Sequence, residues 1–247
     1  MSRIIDANAY LGSWPYWRVD VKTSQQLDRS LAANGVDKAV VSSLRSVFVD
    51  QEEGNRELLA ATRRFPKRMY GLATLSPYFK RKEAGCRGLK EGSFKGIRLY
   101  PQYHWYNLSY ATKVFELAEE LDVPVVLPNR LVSSWPLPEL PVDSCISVAS
   151  EFSKVTFVLS CFNYDAMGAV VSHQFPKNLL VETSGLQIVR GVEMLVDALG
   201  SESVMLGTAI PVQYPQSGLE KVMRAKLTKK QMEAVVWRNA ARVFGIE

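Results

Sequence analysis

Short apolar runs alternate along this chain with longer stretches in which apolar positions recur every three or four residues, the pattern of buried strands separated by amphipathic helices. Ile4–Leu11 reads as the first strand, ending at the Gly12 turn. Strict alternation places Ile4, Asp6, Asn8 and Tyr10 on one of its faces and Ile5, Ala7, Ala9 and Leu11 on the other. Ala39–Ser42, Tyr70–Leu75, Lys95–Pro101, Val125–Leu127, Val155–Ser160, Asn178–Glu182 and Val204–Gly207 read as seven further strands.

Helical stripes fall between them. Thr23 and Gln26 have capping-box spacing ahead of Leu27 and Leu31, and Asn34-Gly35 stops that helix. Leu58, Leu59, Thr62 and Phe65 form the next stripe, closed by Pro66. Ser109 reads as the cap of a helix carrying Val114, Phe115, Ala118 and Leu121, and Thr228 with Gln231 caps the last one. Eight apolar strands alternating with helices predict an α/β fold, a (β/α)8 TIM barrel of minimal and somewhat distorted form, as one domain over 1–247.

Composition narrows the partners more than the fold. A net charge of +5 comes from basic residues scattered over helical stretches, which reads as solvated surface and argues against a nucleic-acid-binding chain. No apolar run reaches membrane-spanning length and the first residues lead straight into a strand, so a cytoplasmic protein with no membrane partner is expected. Cys86, Cys145 and Cys161 are widely spaced and odd in number, and are expected to be reduced.

Ile4-Ile5-Asp6, Asn55 followed by Phe65-Pro66-Lys67-Arg68, the Lys95–Pro101 strand, the segment from Asn178 to Gly185, Gly207-Thr208-Ala209-Ile210-Pro211, and the stretch from Asn239 to Gly245 occur in that order. Together they resemble the amidohydrolase-related branch of the amidohydrolase superfamily over nearly the whole chain. The resemblance implies a barrel hydrolase or decarboxylase holding zinc or manganese through an HxH pair on strand one, a His at the end of each of strands five and six, and an Asp after strand eight. This chain departs from that set at every position. Asn8 and Tyr10 stand at the HxH pair, Pro128 or Asn129 at the strand-five His, Cys161 at the strand-six His and Ala209 at the Asp. A catalytic zinc needs about three converging His, Asp, Glu or Cys donors, and the chain has only two histidines, His104 and His173. No metal and no cofactor are therefore expected.

Other chemistry remains at the same strand ends. Arg98 and Tyr100 share a face of strand four, which the resemblance turns toward the barrel interior, and Glu182 ends strand seven. Arg98 could pair internally with Glu182 or Asp6, or receive a ligand carboxylate or phosphate. Arg98, Tyr100, His104 and Glu182 are the candidate catalytic residues, with His104 the one imidazole near the site and His173 assigned to a structural helix.

The loops after the strands are rich in aromatics: Trp14, Tyr16 and Trp17, then Tyr103, Trp105 and Tyr106, then Trp135, Tyr164 and Tyr214. They could line a small-molecule pocket, form an oligomer interface, or fill a vacated cavity. Asn8, Tyr10, Trp14, Trp17, Tyr103, Asn129 and Cys161 are the candidate ligand contacts. Cys161 would act as a nucleophile only beside a base, and none is visible in the sequence. The expected function is that of an amidohydrolase-like barrel without its metal, which binds or transforms a small anionic or aromatic molecule. The alternatives are a non-catalytic scaffold barrel, homo-oligomeric through the aromatic face, and a metal-dependent hydrolase with an atypical ligand set.

Overall fold

A computed structural model describes residues 3–131, 138–172 and 175–247. Trp135 and His173 lie outside the described residues. The eight strands are β1 (Ile5–Leu11), β2 (Lys38–Ser43), β3 (Met69–Thr74), β4 (Phe94–Arg98), β5 (Val125–Pro128), β6 (Phe157–Ser160), β7 (Leu179–Glu182) and β8 (Val204–Met205). They form one parallel sheet in sequence order. Closure comes from the segment after β8: Ala7 N donates to Leu206 O at 2.8 Å, Ala209 N to Asn8 O at 2.8 Å, and Tyr10 N to Ile210 O at 2.7 Å. The expected barrel is therefore present, with β8 shortened to two regular residues.

Inward-facing Val40, Leu72, Val126, Val158, Leu180 and Met205 pack with Ile5 and Ala7 into an inner layer, closed below by Ala240, Phe244 and Ile246. The faces of β1 differ from simple alternation. Its register against β2 shifts between Asp6 and Ala9, so Ala9 and Leu11 pack outward with the helices while Tyr10 joins the cluster at the barrel mouth. A bulge inserts an extra residue, and each side chain beyond it changes face. The helix expected from Ser109 starts instead at Thr112, after a 3-10 turn over Leu108–Ala111 whose cap is Asn107: its Oδ1 accepts from Ser109 N at 3.1 Å. The cap boxes at Thr23 and Thr228 form as expected. Among the described residues no helix is long and apolar enough to cross a membrane.

Asp6 fastens the seam between β1 and the segment after β8. Its Oδ1 accepts from Asn8 N at 2.9 Å and Thr208 N at 3.0 Å, and its Oδ2 lies 2.5 Å from Thr208 Oγ1. Burial outweighs these bonds and pushes the carboxyl up to about 7. A folded pKa above the unfolded value means the folded state holds this proton more tightly. The stabilising contribution is thus complete below about pH 4 and is lost as pH rises to about 7. Asp6→Asn, which cannot ionise, is expected to gain stability relative to the parent chain over that window. Melting curves at pH 4.5 and pH 8 test it, and a constant difference between the two proteins would refute the assignment.

Candidate functional site

The upper end of the barrel interior is polar where the lower end is apolar, because the strands finish on Asn8, Ser42, Thr74, Arg98, Ser160 and Glu182, all fully buried. Arg98 is the centre. Its Nη1 donates to Asn8 Oδ1 at 2.7 Å and to Ser42 Oγ at 3.4 Å, and its Nη2 donates to Tyr10 OH at 2.7 Å and Ser160 Oγ at 2.9 Å. The guanidinium carbon lies 4.9 Å from the Tyr10 ring centre and 5.6 Å from that of Tyr100, within cation–π range. Nε has no hydrogen-bond partner among the described residues. Burial opposes its charge, but Tyr10, Tyr100, Cys161 and Glu182 more than offset this and raise its pKa.

Arg98 thus pairs directly with neither Glu182 nor Asp6. Asn8 stands between it and Glu182: the amide oxygen accepts from Arg98 while Nδ2 donates to Glu182 Oε1 at 3.2 Å and Ser184 Oγ at 2.9 Å, with Cys161 Sγ also at 3.2 Å. Glu182 receives Cys161 N at 2.7 Å and Ser184 Oγ at 2.7 Å on Oε1, and Ser184 N at 2.6 Å on Oε2. Gly207 makes room for it, since a Cβ there would fall 1.8 Å from Glu182 Oε2. Behind this group Lys221 Nζ donates to Ser184 O at 3.1 Å and Leu186 O at 2.9 Å, and burial lowers its pKa to about 8.

Of the sequence candidates, Asn8, Tyr10, Arg98, Tyr100, Cys161 and Glu182 come together, all fully buried. Burial raises the phenol pKa of both Tyr10 and Tyr100. Trp14, 6% exposed, covers them with Leu131, Ala209 and Val212. It stacks edgewise on Tyr16, Trp17 and Phe48, and Phe48 in turn meets Tyr103. Three candidates stand apart. His104 packs its ring on Tyr100, but its Nε2 lies 3.1 Å from Ser46 O, and it faces a separate open groove of about 320 Å³ with Phe48 and Tyr78. Burial lowers its pKa. Asn129 anchors its own loop, donating to Leu140 O at 2.8 Å and Glu139 Oε1 at 3.1 Å. Trp17 lies at the outer edge, 36% exposed.

Sequence reasoning passed over Ser42, Ser160, Ser184 and Thr208. Only Ser184 had a usable signal, its position two residues beyond Glu182 at a strand end. At the positions where the resemblance implied metal ligands, Asn8 and Tyr10 accept from Arg98, and Ala209 carries no donor atom. Among the described residues no group of three or more His, Cys, Asp or Glu converges.

The family described as amidohydrolase matches residues 12–246. No curated protein matches. Among solved structures, 5-carboxyvanillate decarboxylase from Novosphingobium aromaticivorans, complexed with manganese and 4-hydroxy-3-methoxy-5-nitrobenzoic acid, is 15% identical with a TM-score of 0.75, over 99% of this chain and 96% of that one. 4-Oxalomesaconate hydratase from Rhodopseudomonas palustris is 17% identical with a TM-score of 0.70, over 98% and 95%. 2,6-Dihydroxybenzoate decarboxylase complexed with 2,6-dihydroxybenzoate is 13% identical with a TM-score of 0.71, over 99% and 98%. At identities this low the likeness shows a shared fold alone.

Proposed function

The chain belongs to the amidohydrolase family, and from that premise we propose that it is a single-domain barrel working without the family's metal, which binds or transforms a small aromatic carboxylate at Arg98. The observation that carries this reading is the company Arg98 keeps. A buried guanidinium favours direct contact with an anion, and this one touches neutral oxygens alone, with Glu182 one amide away beyond Asn8 and Nε spare. A ligand carboxylate would supply a directly paired anion. The solved relatives carrying nitrobenzoate and dihydroxybenzoate ligands support the same ligand class.

The donor set does not fit a divalent metal. Asn8 and Tyr10 already face a fixed cation, Cys161 and Glu182 are the remaining acidic donors, and Ala209 offers none. In the catalytic form of the proposal, Arg98 holds the carboxylate, Tyr10 and Tyr100 bound the ring, and Glu182 receives a proton through the Ser184 hydroxyl while Asn8 orients it. Trp14 and its neighbours must lift for a ligand to enter.

Metal analysis of protein purified without chelator, with melting curves in 2,6-dihydroxybenzoate and in its neutral amide, tests the proposal. Less than about a tenth of an equivalent of metal and a melt raised by the carboxylate alone are expected. Stoichiometric metal with a chelator-sensitive melt would return the chain to metal-dependent chemistry.

A second reading, a scaffold barrel without turnover, draws on the sealed mouth and on Tyr78, Trp105, Tyr164 and Tyr214, exposed at 74%, 95%, 66% and 72% on loops at that face. Barrels paired through this face would sediment as dimers and show no carboxylate response.

A further inference from the structure

Cys161 sits in a more elaborate setting than a buried thiol needs. It follows β6 with φ of 52°, a left-handed conformation that costs a non-glycine residue about 1 kcal/mol or more. Its amide is fixed on Glu182 Oε1 at 2.7 Å. Its Sγ lies 3.2 Å from Ser184 Oγ, and Ser184 Oγ donates to Glu182 Oε1 at 2.7 Å. On the other side Asn8 Nδ2 donates to the sulfur at 3.2 Å and Tyr10 OH lies 3.8 Å away, while the thiol itself donates to Leu131 O at 3.4 Å. Gly185 admits the tight turn, because a Cβ there would meet the Cys161 carbonyl carbon at 2.5 Å. Cys86 and Cys145 have no comparable arrangement. No hydrogen bond to either thiol is found among the described residues, and both are packed in the apolar layer between sheet and helices.

Two further atoms indicate that something else is received beside this thiol. Arg98 Nε and Trp14 Nε1 are buried donors without a partner among the described residues, and each costs about 1–3 kcal/mol when left unpaired. Both border the Tyr10–Cys161 cluster.

We infer that Cys161 is a nucleophile served by a Ser184–Glu182 proton relay, and that the site cleaves small carboxylic esters bearing a negative charge. This rests on the metal-free reading given above. The thiol hydrogen turns from Leu131 O to Ser184 Oγ, 3.2 Å away, and passes to that oxygen as the Ser184 proton passes to Glu182. The thiolate, faced by Asn8, Tyr10 and the Arg98 charge, attacks the acyl carbon. The C–S bond forms, the acyl C–O bond breaks, and the departing alkoxide takes the proton back from Glu182 through Ser184. Water then cleaves the thioester, releasing the acid and restoring the thiol. Burial and Glu182 raise the resting thiol pKa, with Arg98 opposing, so the resting group is neutral and activation coincides with proton transfer.

Alkylation by iodoacetamide at pH 7.5, followed by peptide mass spectrometry, tests the inference with Cys86 and Cys145 as references in the same molecule. Burial pushes those thiols up to about 11 and about 12. Cys161 is expected to react at least about tenfold faster than either. Ser184→Ala and Glu182→Gln are each expected to slow it about fivefold or more, whereas a thiol that is merely accessible would react as fast or faster once packing is loosened. Mono-4-nitrophenyl glutarate is expected to leave an acyl adduct on Cys161. Equal rates at the three cysteines, or a Ser184→Ala rate at or above that of the parent, would overturn the inference. Metal content on the same sample separates the levels: metal-free protein without the rate contrast defeats this inference alone, and stoichiometric metal defeats the reading beneath it.

Discussion

Arg98→Ala is expected to lower folding stability by about 3–5 kcal/mol, the cost of several buried polar groups stranded at once, and to abolish any melt response to 2,6-dihydroxybenzoate. The four oxygens that Arg98 serves belong to β1, β2 and β6, while Arg98 itself comes from β4. The guanidinium therefore ties opposite walls of the barrel together, and its loss strands Asn8 Oδ1, the Tyr10 hydroxyl and two serines. Each stranded group costs about 1–3 kcal/mol unless it re-pairs, and Asn8 and Tyr10 can recover part of that by turning toward each other.

Two companion variants identify the cause. Arg98→Lys keeps the charge but has one compact ammonium, which cannot span the fork, so it should rescue little. Arg98→Met keeps the stem and removes the desolvation cost of the charge. It should therefore be less destabilised than the alanine variant while remaining unresponsive to carboxylate. Chemical denaturation of the three variants decides it. A loss under about 1 kcal/mol for Arg98→Ala would mean that the charge costs the barrel as much as its bonds return.

Most of the barrel was legible because parallel strands buried on both faces leave continuous apolar runs. β2 through β7 fall within a few residues of the expected ranges. The misreadings lie where one residue changes a face or a cap. The bulge in β1 depends on how Asp6 reaches across to Thr208, a contact between residues 202 apart. Asn107 and Ser109 are both able caps, and only the 3-10 turn decides between them.

The candidate site was legible as a set of strand ends and not as a network. Alternation put Arg98 and Tyr100 on one face and the resemblance turned that face inward, but whether Arg98 would meet Glu182 directly or through Asn8 depends on the stagger of strands around the barrel, which the side-chain period does not encode. Ser42, Ser160 and Ser184 were missed because serine at a strand end reads as a turn residue. His104 was placed near the site by loop length alone, whereas the chain turns at Trp105, φ 54°, and leaves the imidazole against the Ser46 carbonyl. The base that Cys161 lacked in the sequence lies on the neighbouring strand, reached through a hydroxyl that no spacing rule selects.

Gly185→Ala should be a strongly disruptive single-methyl change at the barrel mouth. The added Cβ would lie 2.5 Å from the Cys161 carbonyl carbon, 2.6 Å from Phe162 O and 2.8 Å from Cys161 Cα. All three are backbone atoms, so no rotamer change relieves the overlap. Cys161 is already held in a left-handed conformation by its bond to Glu182, which leaves that segment little freedom to retreat. The alternative is for the loop over 183–186 to move, and Lys221 resists this through its bonds to the Ser184 and Leu186 carbonyls. Overpacking against fixed backbone costs about 3 kcal/mol, and any loop displacement takes Ser184 off Glu182, so Cys161 alkylation should fall with stability. Gly168→Ala is the control, because nothing lies within 4 Å of its added Cβ and it sits in the short helix Met167–Val170. It should be neutral or stabilising by about 0.4–1 kcal/mol. Urea melts of the two variants give the comparison, and a Gly185→Ala protein as stable as Gly168→Ala would show that the contact between the loops after β6 and β7 is looser than this packing requires.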